Sequence, residues 1–192
     1  MHYAETRKKL PMRTSKKTTI LKAIVEIIEE SGVSGVTYEA VATKCELSKS
    51  GLIYHFPSRE TMLEEAHRYM AQHWEESLRE SLDATDNPTS VTAILKANLA
   101  VSQHAATRAE LLMTIDAAST PELYTIWSET LDQWTCAPDK ITTDPRACQA
   151  YLVQLIADGL WAHDYINGRK LTKEQRAALV DAALNLIPGN ES

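Results

Sequence analysis

Between Gly32 and Pro57 the chain is cut into pieces too short to fold alone. Gly32 ends an amphipathic run, Lys17 to Ser31, in which Ile20, Ile24, Ile27 and Ile28 recur at helical spacing. Thr37 then suits the cap of a short helix, YEAVATKC, with Val41 and Ala42 facing inward. Ser48 suits the cap of another helix, roughly two turns long. Pro57-Ser58 breaks that helix and starts a fourth. Isolated helices this short are unstable in water. The two short segments must therefore rest on the longer first helix, and that layout is a helix-turn-helix.

The remaining chain reads as helices separated by turn signals. The fourth helix, 58–82, carries Met62, Leu63, Ala66, Tyr69, Met70, Trp74 and Leu78 on one face. DATDNPTS, 83–90, is a turn-rich link, with Asn87-Pro88 read as a cap and a proline in the first turn of the next helix. Helical patterns follow at 90–105 and 106–118, then from Thr120-Pro121 through Trp134. APDKITTDP, 137–145, is a loop, and a helix over 146–167 stops at Gly168. Thr172-x-x-Gln175 is a capping box for a last helix to Ile187. No strand pattern, internal repeat or low-complexity tract interrupts this series. The expected fold is all-α, with about nine helices. Residues 1–16 form a flexible basic arm, 17–60 the helix-turn-helix domain, and 61–192 a larger helical domain for ligand binding and dimerisation. Met12 is a candidate natural start, with 1–11 an upstream extension.

Charge separates the two ends. The whole chain carries −6, yet residues 1–25 hold seven Lys/Arg against Glu5 alone, and residues 61–192 hold 10 Lys/Arg against 19 Asp/Glu. A basic end on an acidic body points to a local polyanion contact. Three cysteines, Cys45, Cys136 and Cys148, without a CxxC pair exclude a zinc ribbon or disulfide framework and fit a reducing cytoplasm. No apolar run is long enough for a membrane span, and no secretory core opens the chain.

A helix-turn-helix places the N-terminal part of its second helix in the major groove. Lys49, Ser50 and Gly51 are small or flexible enough to face bases there. Tyr54 and His55 can donate to phosphates, which fixes register. Ser58 and Arg59 begin the fourth helix, whose free N–H groups favour a phosphate. Thr37, Tyr38 and Ser48, at the starts of the two short helices, complete the DNA-binding candidates. Leu52, Ile53 and Phe56 are expected to face the core.

These residues carry a resemblance. Residues 17–63, and above all the run S-K-x-G-x-x-Y-H-F-x-S-[KR]-x-x-L, resemble the DNA-binding domain of TetR-type transcriptional repressors. MRTSKK, LLMTIDA and YLVQLIADGLWAHDYI are similar to members that repress multidrug-efflux pumps, a likeness over most of 12–187. Two positions depart from the family pattern: Glu46 stands where a turn glycine is usual, and Ile53 where a phosphate-contacting tyrosine is usual. The resemblance implies a homodimer on a palindromic operator, joined through the last two helices. Apolar stripes support this: Leu152, Leu155, Ile156 and Leu160, then Leu179, Ala183, Leu184 and Ile187. It also implies a small effector, with Trp74, Trp127 and Trp161 as pocket walls and Leu99, Met113 and Tyr151 nearby. Flat walls suit an aromatic compound, and a cation would gain from those faces and from Asp116, Glu129, Asp158 or Asp164.

No cofactor, metal or catalytic residue is expected. His163-Asp164 are adjacent on a helix and point about 100° apart, so they form no simple relay. His67 and His73 are wrongly spaced for one metal, and no hydrolase, metalloprotease or nucleotide-binding motif occurs. The alternative is a DNA-binding regulator without a small ligand, its C-terminal domain serving dimerisation or a protein partner.

Overall fold

The computed structural model describes residues 15–82 and 87–189. The arm and the start at Met12 fall almost wholly outside these residues, as does the first half of the 83–90 link. Among the described residues there are nine α-helices and no strand. They are α1 (Lys16–Ser31), α2 (Tyr38–Cys45), α3 (Lys49–His55), α4 (Arg59–Glu80), α5 (Val91–Val101), α6 (Arg108–Ser119), α7 (Pro121–Trp134), α8 (Pro145–Asn167) and α9 (Lys173–Leu184). Single 3-10 turns at Val33–Gly35 and Pro138–Lys140 tighten two of the connections.

Most ends are set by local chemistry. The hydroxyls of Ser15, Thr37, Ser48, Ser58 and Ser90 each accept from a backbone N–H in the first turn they cap. Thr107–Glu110 and Thr172–Gln175 form reciprocal capping boxes. Gly32 ends α1 at φ 78°, a conformation costly for any residue with a Cβ. Glu46, the one non-glycine among the described residues with positive φ (54°), ends α2 in the left-handed region. The turn therefore keeps the geometry that glycine would suit, with glutamate in it.

Asn87-Pro88 does not start a helix. Asn87 Oδ1 instead accepts from Thr89 N and Oγ1 (3.2 and 2.9 Å), closing an Asx turn, and Ser90 takes over the cap. The expectation for Ile53 also fails: it is exposed, while Leu52 and Phe56 are fully buried. A helix of seven residues presents only a narrow inward stripe, and those two fill it.

The core beneath α1–α3 continues along α4 through Met62, Leu63, Ala66 and Met70 and reaches Ala109 and Met113 of α6. Two polar links reinforce the contact between α1 and α6. Arg108 Nη1 donates to the Glu29 carbonyl at 2.8 Å, and Glu29 Oε2 accepts from Ala109 N at 2.6 Å. A second core joins α5, α8 and α9 around Leu95, Leu99, Val153 and Val180. Within it Arg176, almost fully buried, holds Asp164 at 2.6 Å and donates to the Ser102 and Leu160 carbonyls.

Candidate nucleic-acid interface and effector cleft

On α3, residues three and four apart share a face. Lys49, Ser50, Ile53 and Tyr54 are all exposed, and Tyr54 is 84% exposed. An aromatic this bare, on a helix whose other face is fully packed, is available for contact. His55 is half-buried, its ring edge-on to Tyr54 at 5.3 Å between centroids. Lys49 Nζ sits 2.6 Å from Glu39 Oε1 and 5.9 Å from the Tyr38 ring centre. That exposed ion pair is a weak tether. It holds the Glu39 carboxyl below the ordinary range, mainly through the hydrogen bond from Lys49.

Other expected DNA-binding residues have internal tasks. The Tyr38 hydroxyl donates to the Phe56 carbonyl at 2.7 Å, tying α2 to the end of α3. Arg59 Nε and Nη2 each donate at 2.8 Å, to the carbonyls of Val36 and Val33. The guanidinium thus fastens the start of α4 to the segment before α2. Thr37, Ser48 and Ser58 act as helix caps, and Ser48 Oγ also lies 3.1 Å from Ser50 Oγ. A Cβ on Gly51 would meet Ser48 Oγ at 3.2 Å, a tight approach, and nothing else within 4 Å.

The six residues expected to wall one pocket are dispersed. Met113 is in the core under the DNA-binding end, and Leu99 is in the α5–α8–α9 core. Trp74 packs beside Leu78, Ala97 and Trp134, and Trp161 is half-buried on α8 with its carbonyl accepting from Ala106 N. Trp127 instead belongs to a polar triad that sequence reasoning missed. Its Nε1 donates to Nδ1 of fully buried His67 at 2.9 Å, and His67 Nε2 lies 3.3 Å from Asp116 Oδ2. An indole N–H demands a bare lone pair on Nδ1, which assigns the proton to Nε2 and makes the ring neutral. Burial pushes the His67 pKa below its ordinary value, and Asp116 opposes that shift. The triad joins α4, α6 and α7. A histidine within the apolar stripe of α4 was its one sequence signal.

Tyr151 lines a cleft between α7 and α8. Where the C-terminal half of α7 stands away from α8, a cleft of about 220 Å³ opens between Tyr124, Asp132, Tyr151, Gln154 and Asp158, among others. Asp158 opens to solvent through its mouth, yet the crowding walls raise its carboxyl above the ordinary range, opposed by the hydrogen bond from Gln154 Nε2 (3.0 Å). Neither Asp132 nor Asp158 has a cationic partner among the described residues. Gln154 is 3% exposed, and its Oε1 has no hydrogen-bond partner. A second, more polar cleft of about 240 Å³ lies between α4 and α7, with Arg68, Glu75 and Glu129 on its walls. The remaining two expected carboxylates are already engaged, Asp116 by His67 and Asp164 by Arg176. No helix among the described residues is long and apolar enough to cross a membrane.

Comparison with known proteins matches this architecture at both ends. Residues 20–66 fit the model of bacterial regulatory proteins of the tetR family, and residues 89–188 fit the tetracyclin repressor-like C-terminal domain. The HTH-type transcriptional regulator BetI of Paraburkholderia phymatum is 24% identical over 189 residues, covering 93% of this chain and 96% of that one. A transcriptional regulator from Rhodococcus sp. Rha1 superposes with a TM-score of 0.67 at 21% identity, over 90% of this chain and 96% of its own. The multidrug binding protein EbrR, solved with ethidium, superposes at 0.60 and 17% identity over 91% and 99%. At these identities the solved structures establish the fold, and the narrower resemblance to efflux-pump repressors stays unsupported by them.

Proposed function

Because the chain belongs to the TetR family of bacterial regulatory proteins, a family of DNA-binding transcription regulators, we propose that it is a cytoplasmic, dimeric repressor released from a palindromic operator by a small aromatic effector. The observation that carries the reading is the outward stripe of α3, with Lys49, Ser50 and Tyr54 bare on a helix otherwise locked to its core. Lys49 and Ser50 reach base edges, while Tyr54 and His55 donate to phosphates on either side. Thr37, Gly51 and Ser58 allow close backbone approach at the edges of the contact. Arg59 and Tyr38 act one step back, by fixing the angle between α3 and the helices beside it.

Dimerisation is supported by an apolar face with no cover. Leu152 and Leu155 on α8, and Leu179 on α9, are roughly half exposed. A two-fold dimer buries these faces and sets two recognition helices one DNA turn apart. The α7–α8 cleft supports effector binding. Tyr124 and Tyr151 supply aromatic faces, and unpaired Asp132 and Asp158 favour a cationic ring system. Structural similarity to a multidrug binding protein solved with ethidium makes a lipophilic dye a sensible first probe and an efflux-pump gene a sensible first target. Effector binding shifts the dimer only as far as the ligand prefers the non-binding spacing; about 100-fold preference corresponds to roughly 2.7 kcal/mol.

One observation favours a second reading, a regulator with no small ligand. The expected tryptophan walls are dispersed, and the cleft of about 220 Å³ is smaller than the roughly 300–1,000 Å³ usual for drug-sized ligands. Footprinting on the DNA flanking the protein's own gene, with and without ethidium, separates the readings. Protection lost with ethidium, and equally with a cationic dye that does not intercalate, supports effector control, because intercalation alone also distorts the duplex. Protection indifferent to ethidium and to other cationic and neutral aromatic compounds supports the second reading. No protection on any flanking or selected duplex rejects both.

A further inference from the structure

Ile53 is the one aliphatic side chain left bare on α3, 43% exposed while Leu52 and Phe56 beside it are fully buried. A single exposed isoleucine needs no explanation on an arbitrary surface. Its position is not arbitrary. It lies in the middle of the stripe formed by Lys49, Ser50 and Tyr54, whose side chains all carry hydrogen-bonding groups. It belongs to no core cluster of the described residues. In the major groove, the base-edge code offers hydrogen-bond donors and acceptors at every pair and a single apolar group, the C5 methyl of thymine.

We propose that Ile53 is a specificity-determining residue that reads one thymine in each half-site through that methyl group. The inference rests on the DNA-binding reading above. The contact needs no donor, so it is insensitive to the Lys49–Glu39 tether that constrains its neighbour. It discriminates thymine from cytosine, which presents no methyl at the same place. Removing one such methyl should weaken binding about four-fold, equivalent to roughly 0.8 kcal/mol. Two half-sites give about 16-fold.

The test uses the full-length protein. A duplex is first selected from a randomised library, and each thymine in it is then replaced in turn by uracil, which pairs identically but lacks the methyl. The expected result is one symmetry-related pair of thymines at which uracil weakens binding by about four-fold each. Ile53→Ala should bind the thymine duplex at that weakened level and be indifferent to uracil at the same pair. Ile53→Val, which keeps a γ-methyl, should retain most of the discrimination. Thermal melting by circular dichroism checks that both variants fold, as expected for an exposed site. Uracil neutral at every position, or an Ile53→Ala protein that keeps the full uracil penalty, would overturn the proposal while leaving DNA binding intact. Failure to enrich any duplex would overturn both.

Discussion

Replacing Trp127 by phenylalanine removes the N–H that His67 Nδ1 accepts at 2.9 Å, and leaves a buried nitrogen without a partner. Such a loss costs about 1–3 kcal/mol near pH 7.5. For a chain of this size, about 2 kcal/mol lowers Tm by roughly 4–8 °C. The pH dependence is the sharper test. In the native protein a proton arriving at Nδ1 would face the indole N–H, and burial disfavours the charge as well, so the folded pKa lies below the unfolded one. Stability from the neutral ring is complete above about pH 6.5, the unfolded value, and is lost as pH falls from there through the folded value. In Trp127→Phe, Nδ1 can take a proton without meeting a donor, so its folded pKa rises toward the unfolded one and the acid loss shrinks. The stability gap between wild type and variant should therefore narrow from pH 7.5 to pH 5. Urea unfolding followed by far-ultraviolet circular dichroism, at one fixed protein concentration because the stability of any oligomer depends on it, measures that gap. A gap that stays constant or widens as pH falls would refute the assignment of the proton to Nε2.

Three further outcomes follow from the geometry. Glu46→Gly relieves a glutamate held at φ 54° and should raise stability by about 0.5–1 kcal/mol, after allowing for the extra freedom glycine gains when unfolded; an unchanged or lower Tm would count against strain at that turn. Glu39→Gln frees Lys49 and removes a carboxylate from the DNA-facing end, so electrophoretic titration should show several-fold tighter operator binding, with weaker binding as the contrary result. Asp164→Asn leaves the Arg176 guanidinium buried without its counter-ion and should cost about 3–5 kcal/mol, read by thermal melting with sedimentation to follow any loss of dimer.

Which of these features the sequence discloses depends on the range of the interaction that creates them. Thr37, Ser48 and the Thr172–Gln175 box announce their helices, because a cap bonds within three residues of itself. Asn87 misleads for the same local reason, since an asparagine before a proline can serve a cap or an Asx turn, and the structure gives the cap to Ser90 three residues on. Ile53 shows where periodicity weakens: over seven residues two inward positions suffice, and nothing local says which apolar residue is surplus. The tryptophans raise a different difficulty. Trp74, Trp127 and Trp161 lie on three helices, and only tertiary packing decides whether they converge. The His67–Asp116–Trp127 triad spans separations of 49 and 60 residues, so no window along the chain contains it. Lys49, Ser50 and Tyr54, by contrast, lie within one short helix, so their shared exposed face follows from local spacing alone.

The Glu29 contact with the start of α6 gives the DNA-reading end a second support. A head carried by α4 alone would behave as a bar pinned at one end, free to swing with little resistance. Here α1 is also braced against α6 through Arg108 and the Ala109 amide, so the head rests on two struts. A bar held at two points moves only when both shift together. α4 spans 22 residues, roughly 33 Å at 1.5 Å per residue. Over that length a tilt of roughly 5° displaces the far end by roughly 3 Å, set against a half-site spacing of roughly 34 Å. In the proposed dimer, that brace would make the spacing of the two heads depend on α6 as well as on α4.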